Sequence, residues 1–252
     1  MIDKIETGVA TSHAYGRIVM RRNQVTTAAL AFLLPVVFVG WAHPTGAQEK
    51  SAYPAMAPVE QYLIPDEKAE IALARSAAPA SISDEAEVMV LGRKGFTTAV
   101  KGKNGFMCLV ERSWGAATTA PEFWNPKVRS PICFNPAATR TFAPIFLMRT
   151  KLVLEGKSKE EIVRETASAM DKKELPPLEP GAMCYMMSKQ QYLNDDGKSW
   201  HPHVMFFVHG NVAKSWGAGL PGSPVLASDD PEERVTIFML LVGKWSDGTV
   251  GQ

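Results

Sequence analysis

Three of the chain's five histidines, His201, His203 and His209, fall in one short segment, and the other two, His13 and His43, lie near the start. If that segment is one strand, its odd-numbered side chains share a face, so His201 and His203 are neighbours and His209 lies farther along. Two neutral imidazoles at this spacing suit zinc or copper, and an open site would take a third ligand from Asp195, Asp196 or Glu111 together with water. The structural alternative is that Pro202 opens the strand, where a His-Pro-His run is satisfied by solvent and backbone, and that His209-Gly210 closes it. No third ligand stands at a diagnostic spacing, so the sequence favours solvated or structural histidines over a metal centre.

Gly217-Ala218-Gly219-Leu220-Pro221-Gly222 has the glycine spacing of a dinucleotide fingerprint. That fingerprint opens a helix, and Pro221 followed by Ser223-Pro224 does not. Lys101-Gly102-Lys103-Asn104 lacks the first glycine and the hydroxyl of a phosphate-binding loop. Ser223 can be written into a triad with a histidine and Asp229 or Asp230, but this joins common residue types without a motif. The tryptophans offer more. Trp114, Trp124, Trp200 and Trp216 stand in loops or at strand ends, where a half-exposed ring is a stacking platform for a sugar, a peptide or a planar ligand; core packing is the competing use.

Residues 20–47 indicate where such chemistry would work. Arg21-Arg22 form a basic start, residues 28–42 an apolar run and Thr45-Gly46-Ala47 a small-residue stretch, the pattern of a signal peptide cleaved before Gln48. The run is shorter than the roughly 18–20 residues of a spanning helix and Pro35 interrupts it, so membrane contact is expected only through this segment if it stays uncleaved. Residues 1–19 carry Asp3 and Glu6, foreign to a signal, and read as a start placed too early, with Met20 the initiator. Removing residues 1–47 reduces 27 basic and 26 acidic side chains to 23 and 24. That balance leaves no electrostatic footprint for nucleic acid. In an oxidising periplasmic or extracellular compartment the three cysteines pair or are buried. Cys108 and Cys184 lie in apolar runs, while Cys133 sits between Pro131 and Pro136 in what reads as a loop. Of the open pairings, Cys108 with Cys133 is favoured because it ties a long irregular segment to the sheet.

The elements that must position these groups follow from periodicity and turn chemistry. Residues 48–65 are rich in Pro and Ala and read as an extended arm without core; residues 66–252 read as one domain. Pro65-Asp66-Glu67 starts a short helix. Residues 87–91, 96–100 and 106–111 read as an antiparallel meander with Gly-rich turns. Residues 113–141 show no period and read as an ordered loop packed on the sheet. Two helices follow, one over the apolar run 145–154 and one opened by the capping box Ser158/Glu161. Residues 181–188 and 203–208 form a hairpin, and residues 234–245 a last strand. The predicted fold class is α+β: an antiparallel sheet of about five or six strands, with two helices inserted between the third and fourth and covering one face. The preferred function is a non-enzymatic exported binding or interaction module, taking a small molecule, glycan or protein between the loops 113–141 and 210–224 and needing no cofactor. The alternative is a metal-assisted hydrolase or metal-binding protein using zinc or copper on His201 and His203.

Overall fold

The computed structural model describes residues 52–251. The expected signal peptide, residues 20–47, and the expected mis-placed start, residues 1–19, lie outside them. Among the described residues no helix is long and apolar enough to cross a membrane.

The fold is α+β, built on one sheet of eight strands rather than five or six. In chain order the elements are α1 (Glu67–Arg75), α2 (Ala80–Ser83), β1 (Glu87–Gly92), β2 (Gly95–Val100), β3 (Met107–Glu111), β4 (Ser130–Phe134), α3 (Pro136–Thr141), α4 (Ala143–Leu154), α5 (Lys159–Asp171), β5 (Met183–Met186), β6 (His203–His209), β7 (Ala227–Asp230) and β8 (Val235–Leu241). The sheet order is β2-β1-β3-β4-β5-β6-β8-β7. Three helices, α3 to α5, rather than two are inserted between β4 and β5, α1 and α2 precede β1, and all six strands read from the sequence are present.

The expected meander is corrected. β1 and β2 form the hairpin, but β3 pairs with β1 in parallel, Glu87 opposite Met107 and Val88 opposite Cys108, so the sheet is mixed. The chain reaches β3 by passing under the start of β1, where Lys103 N donates to Glu85 O and Glu87 N to Phe106 O. The crossing is so close that a Cβ on Gly102 would stand 2.2 Å from Glu87 N. Gly102 is there for contact, not for a hairpin turn.

Residues 113–141 are also corrected. They contain β4 and α3, and Cys133 lies in β4, fully buried, instead of in a loop. Two prolines disguise the strand. Pro131 is tolerated because β4 meets β5 only at Cys133 and Phe134, and Pro136 is the first residue of α3, capped by the Asn135 side chain. A proline has no N–H to give, so Val110 opposite Pro131 is a non-hydrogen-bonded pair of the β3–β4 ladder, and Cys108 opposite Cys133, two residues along, is another. Those pairs are the narrow ones, and here the Cα atoms are 4.0 Å apart and the sulfurs are joined. The expected disulfide is therefore present, and Cys184 is the buried free thiol. Closing 25 residues of chain restricts the unfolded state by about 3.5 kcal/mol. Cys108→Ala/Cys133→Ala is expected to lower the urea-unfolding free energy by about that amount, and a loss under 1 kcal/mol would show that the bridge does not restrain the unfolded chain.

Strand alternation gives the sheet two faces. Met107, Leu109, Ile132, Phe134, Cys184, Met205, Phe207 and Ile237 point to the inner face and make the main core with α3 to α5. α4 buries Ile145, Phe146, Arg149, Thr150, Leu152 and Val153, several sides of the helix rather than one stripe, as a helix wrapped by its sheet requires. The capping box on α5 is complete, Ser158 to Glu161 N and Glu161 to Ser158 N. The arm, expected to carry no core, supplies Tyr62, which is fully buried against Trp114 with ring centroids 4.9 Å apart. Its hydroxyl donates to Trp124 O at 2.8 Å.

Candidate functional site

On the outer face the two halves of the sheet differ. Val88, Cys108, Val110 and Cys133 are sealed beneath Ala74, Ala77 and Ala78 of α1 and its C-terminal extension. The other half has no such cover. Opposite residues of β6 and β8 share a face, and on the outer side these are Val204 with Leu240, Phe206 with Phe238, and Val208 with Thr236. Phe206 is 40% exposed and Leu240 56%. The loop after β6 folds back through a 3-10 turn, Lys214–Trp216, and lays Trp216, 59% exposed, against Phe238 with ring centroids 4.6 Å apart. Gly217 takes φ 86° directly after that turn, the left-handed conformation that ends it. Turns, not a helix, follow the glycines. Leu220, 55% exposed, completes the apolar group.

The inner face holds the polar chemistry. Glu111 ends β3, Asp230 ends β7, and Glu233 sits in the β7–β8 turn; all three line one cavity with Phe142, Phe146, Met205 and Phe207. β3 and β7 have four strands between them, about 24 Å in a flat sheet. Their sharing of a cavity means that the sheet curls around it. The space is roughly that of one water. Arg149, reaching from α4, is the guanidinium of the cluster: it donates to Glu233 Oε1 at 2.7 Å and to Ala116 O at 2.7 Å and lies 3.6 Å from Glu232. Glu232 in turn accepts from Thr118 N and Oγ1, and Lys159 Nζ donates to Thr118 O. Asp230 Oδ1 accepts from Glu233 N at 3.0 Å. Burial, then the nearby Glu233, push the Glu111 carboxyl up to about 8 against the pull of Arg149. Burial and Asp230 raise Glu233 to about 7, and burial raises Asp230 as well.

The sequence candidates are scattered over this framework. Trp114 is fully buried and donates from Nε1 to Thr150 Oγ1 at 2.9 Å, and Trp124 is 7% exposed with its ring edge-on to Phe123. Both rings are core and lie on the inner side, whereas Trp216 lies on the outer one, so the loops 113–141 and 210–224 do not bring their tryptophans together. Trp200 is half-buried and edge-on to His203 at 4.7 Å. His201 precedes β6 and is exposed, while His203 is 2% exposed with Nδ1 donating to His201 O at 2.7 Å. A carbonyl only accepts, so the proton is on Nδ1. Burial first of all holds this imidazole down at about 4. Asp195 instead accepts from Tyr53 and Tyr192 and pairs with Lys127 at 3.0 Å. Among the described residues no three His, Cys, Asp or Glu side chains come together in a way that could hold a metal ion.

Sequence reasoning placed Glu111 only as a spare metal ligand. A sharper signal was its parity with Met107 and Leu109, which turns a carboxylate toward the core. The carboxyls of Asp230 and Glu233 that share its cavity lie over 110 residues downstream and had no local signal. Comparison of the chain with protein-family models, with curated proteins and with solved structures finds no match.

Proposed function

We propose that the chain is an exported, non-enzymatic binding module and that the outer face of β6 and β8, with Trp216 and Leu220 beside it, receives an apolar surface of a protein partner. One observation carries this reading: the same sheet face is sealed by α1 over β1, β3 and β4 and only partly covered over β6 and β8, where Phe206 and Leu240 stay exposed although Val204 and Thr236 are buried. A contiguous exposed apolar group of this kind marks an interaction surface, and an aromatic ring at its centre is the residue type on which binding energy concentrates. Among the three partner classes considered from the sequence, a protein fits this face best. The face is open and not concave, so a small molecule would bury too little of itself there. Its side chains are nearly all apolar, so a glycan would find few hydrogen bonds. The disulfide and the signal-like residues 20–47 support export.

A photo-crosslinking amino acid at Leu240, in cells that export the protein, is expected to trap one discrete adduct. The same group at the exposed Arg164 of α5, on the other side of the molecule, should trap none. Trp216→Ser is expected to remove the adduct while costing under about 1 kcal/mol of stability, since the ring is mostly exposed. No adduct at Leu240 overturns the reading. An adduct of twice the chain mass assigns the face to a second copy of the protein.

A further inference from the structure

We infer that the β7–β8 corner, residues 229–234, is a proton-gated latch: it stays docked on α4 and the 115–118 loop while Glu111 keeps its proton, and is released when Glu111 loses it. This stands independently of the binding reading. Glu111, Asp230, Glu232 and Glu233 gather around Arg149, and Lys159, a further cation beside the cluster, donates to Thr118 O and faces Glu232 rather than Glu111. The guanidinium is already committed to Glu233 and Ala116. The Glu111 carboxyl accepts no hydrogen bond from any described residue; it lies half-buried beside Gly115, where a Cβ would stand 3.0 Å from its Oε2, and it lines one cavity with Asp230 and Glu233. A further negative charge there is repelled by its carboxylate neighbours, whereas the neutral acid is not.

The groups facing Glu111 come from every packed element. From the corner they are Glu233 and Asp230, from α4 Arg149, from β5 the free thiol of Cys184, whose own titration is raised by burial and by Glu111, and from β4 the opposing Ser130. All but Arg149 oppose a negative charge on Glu111 or leave it unrelieved. The corner is the part that can give. It is held by Asp230 to Glu233 N, by Arg149 to Glu233 and by Thr118 to Glu232, polar contacts that span three separate parts of the chain. Two of the polar atoms beneath it, Arg149 Nε and Thr166 Oγ1, are buried without a partner. Its outer side carries Asp229, which accepts from Thr236 and from Ala213 N at the foot of the Trp216 loop. Release would therefore also shift the outer face.

The sign follows from linkage. A carboxyl whose docked value lies near 8 and whose free value is about 4.3 binds more protons when docked. Docking is then fully supported at low pH and is lost as pH rises through about 8. His203 acts the opposite way and only below about 6.5, so the window from pH 6.5 to 8.5 isolates the carboxyl cluster.

The test is amide hydrogen exchange on the wild-type chain at both ends of that window, corrected for the intrinsic pH dependence of exchange. Protection of residues 229–234 and 115–118 is expected to fall tenfold or more from pH 6.5 to 8.5, while β3 and β4 keep theirs. Glu111→Gln, which holds the shape of the neutral acid, is expected to keep the corner protected at both values. A flat wild-type profile, or an unchanged loss in Glu111→Gln, overturns the latch. Should that variant fail to fold, the carboxyl carbon resonance of Glu111 in the wild type decides: a midpoint above 6.5 supports the latch, and one near 4.3 removes it.

Discussion

Arg149→Met is expected to destabilise the protein by about 3–5 kcal/mol at pH 8. The guanidinium is 2% exposed and holds Glu233, Glu232 and Ala116 O at once. Methionine fills a similar volume but supplies no charge, so two carboxyls and a carbonyl lose their donor in a place water barely reaches. The loss should shrink at pH 5. There Glu233, raised to about 7 by burial and by Asp230, and Glu111 are both protonated, and neutral acids need less of Arg149. Urea unfolding at the two pH values measures this. A loss below 1 kcal/mol, or one independent of pH, would show that the carboxyls are not buried as described.

Glu70→Ala is expected to cost a comparable 3–5 kcal/mol, for a different reason. Glu70 on α1 and Arg112 after β3 are 1% exposed, and the pair is 2.8 Å apart. Glu70 Oε1 also accepts from Leu91 N at 3.1 Å, and Arg112 donates to Tyr62 O at 2.6 Å and to Val110 O. The pair therefore joins α1, β1, β3 and the residue 62 segment at one point. Removing the carboxylate leaves a guanidinium buried with carbonyls alone, and burial already lowers its proton affinity. The combined variant Glu70→Leu/Arg112→Met removes that stranded charge. It is expected to be more stable than Glu70→Ala alone, which a double-mutant cycle in urea reads directly. A double variant less stable than the sum of its parts would show that the pair is not the source of the loss.

Six strands and the helix starts at Asp66 and Ser158 were legible because each has a local cause, alternation or a capping side chain; the Cys108–Cys133 bridge was expected with Cys133 in a loop, whereas it joins two paired strands. β7 was not, since Ala-Ser-Asp-Asp has no apolar alternation, and it is a strand only because β8 pairs with it. β4 was hidden by Pro131 and Pro136, whose tolerance depends on which neighbour stops short. The parallel pairing of β1 with β3 was masked because Gly102 and Gly105 make a chain crossing look like a hairpin. The exposed position of Trp216 and the burial of Trp114 are equally tertiary facts, for the two residues have similar neighbours in sequence. The carboxyl cavity was the least legible feature. It exists because a curled sheet closes Glu111 onto a turn at the far end of the chain.

The place of β8 in the sheet has a bearing on how the molecule comes into being. It is the last strand in chain order among the described residues, yet it lies between β6 and β7 and is the sole strand partner of β7. A chain halted before residue 235 therefore has no way to complete that half of the sheet, to close the cavity or to give Arg149 its Glu233. Such a nascent chain carries β6 paired with β5 along one edge and unpaired along the other. Assembly of this half waits for contacts between distant residues, which slows folding and makes it collective. This half of the sheet therefore stays incomplete until residues 235–241 are available to pair.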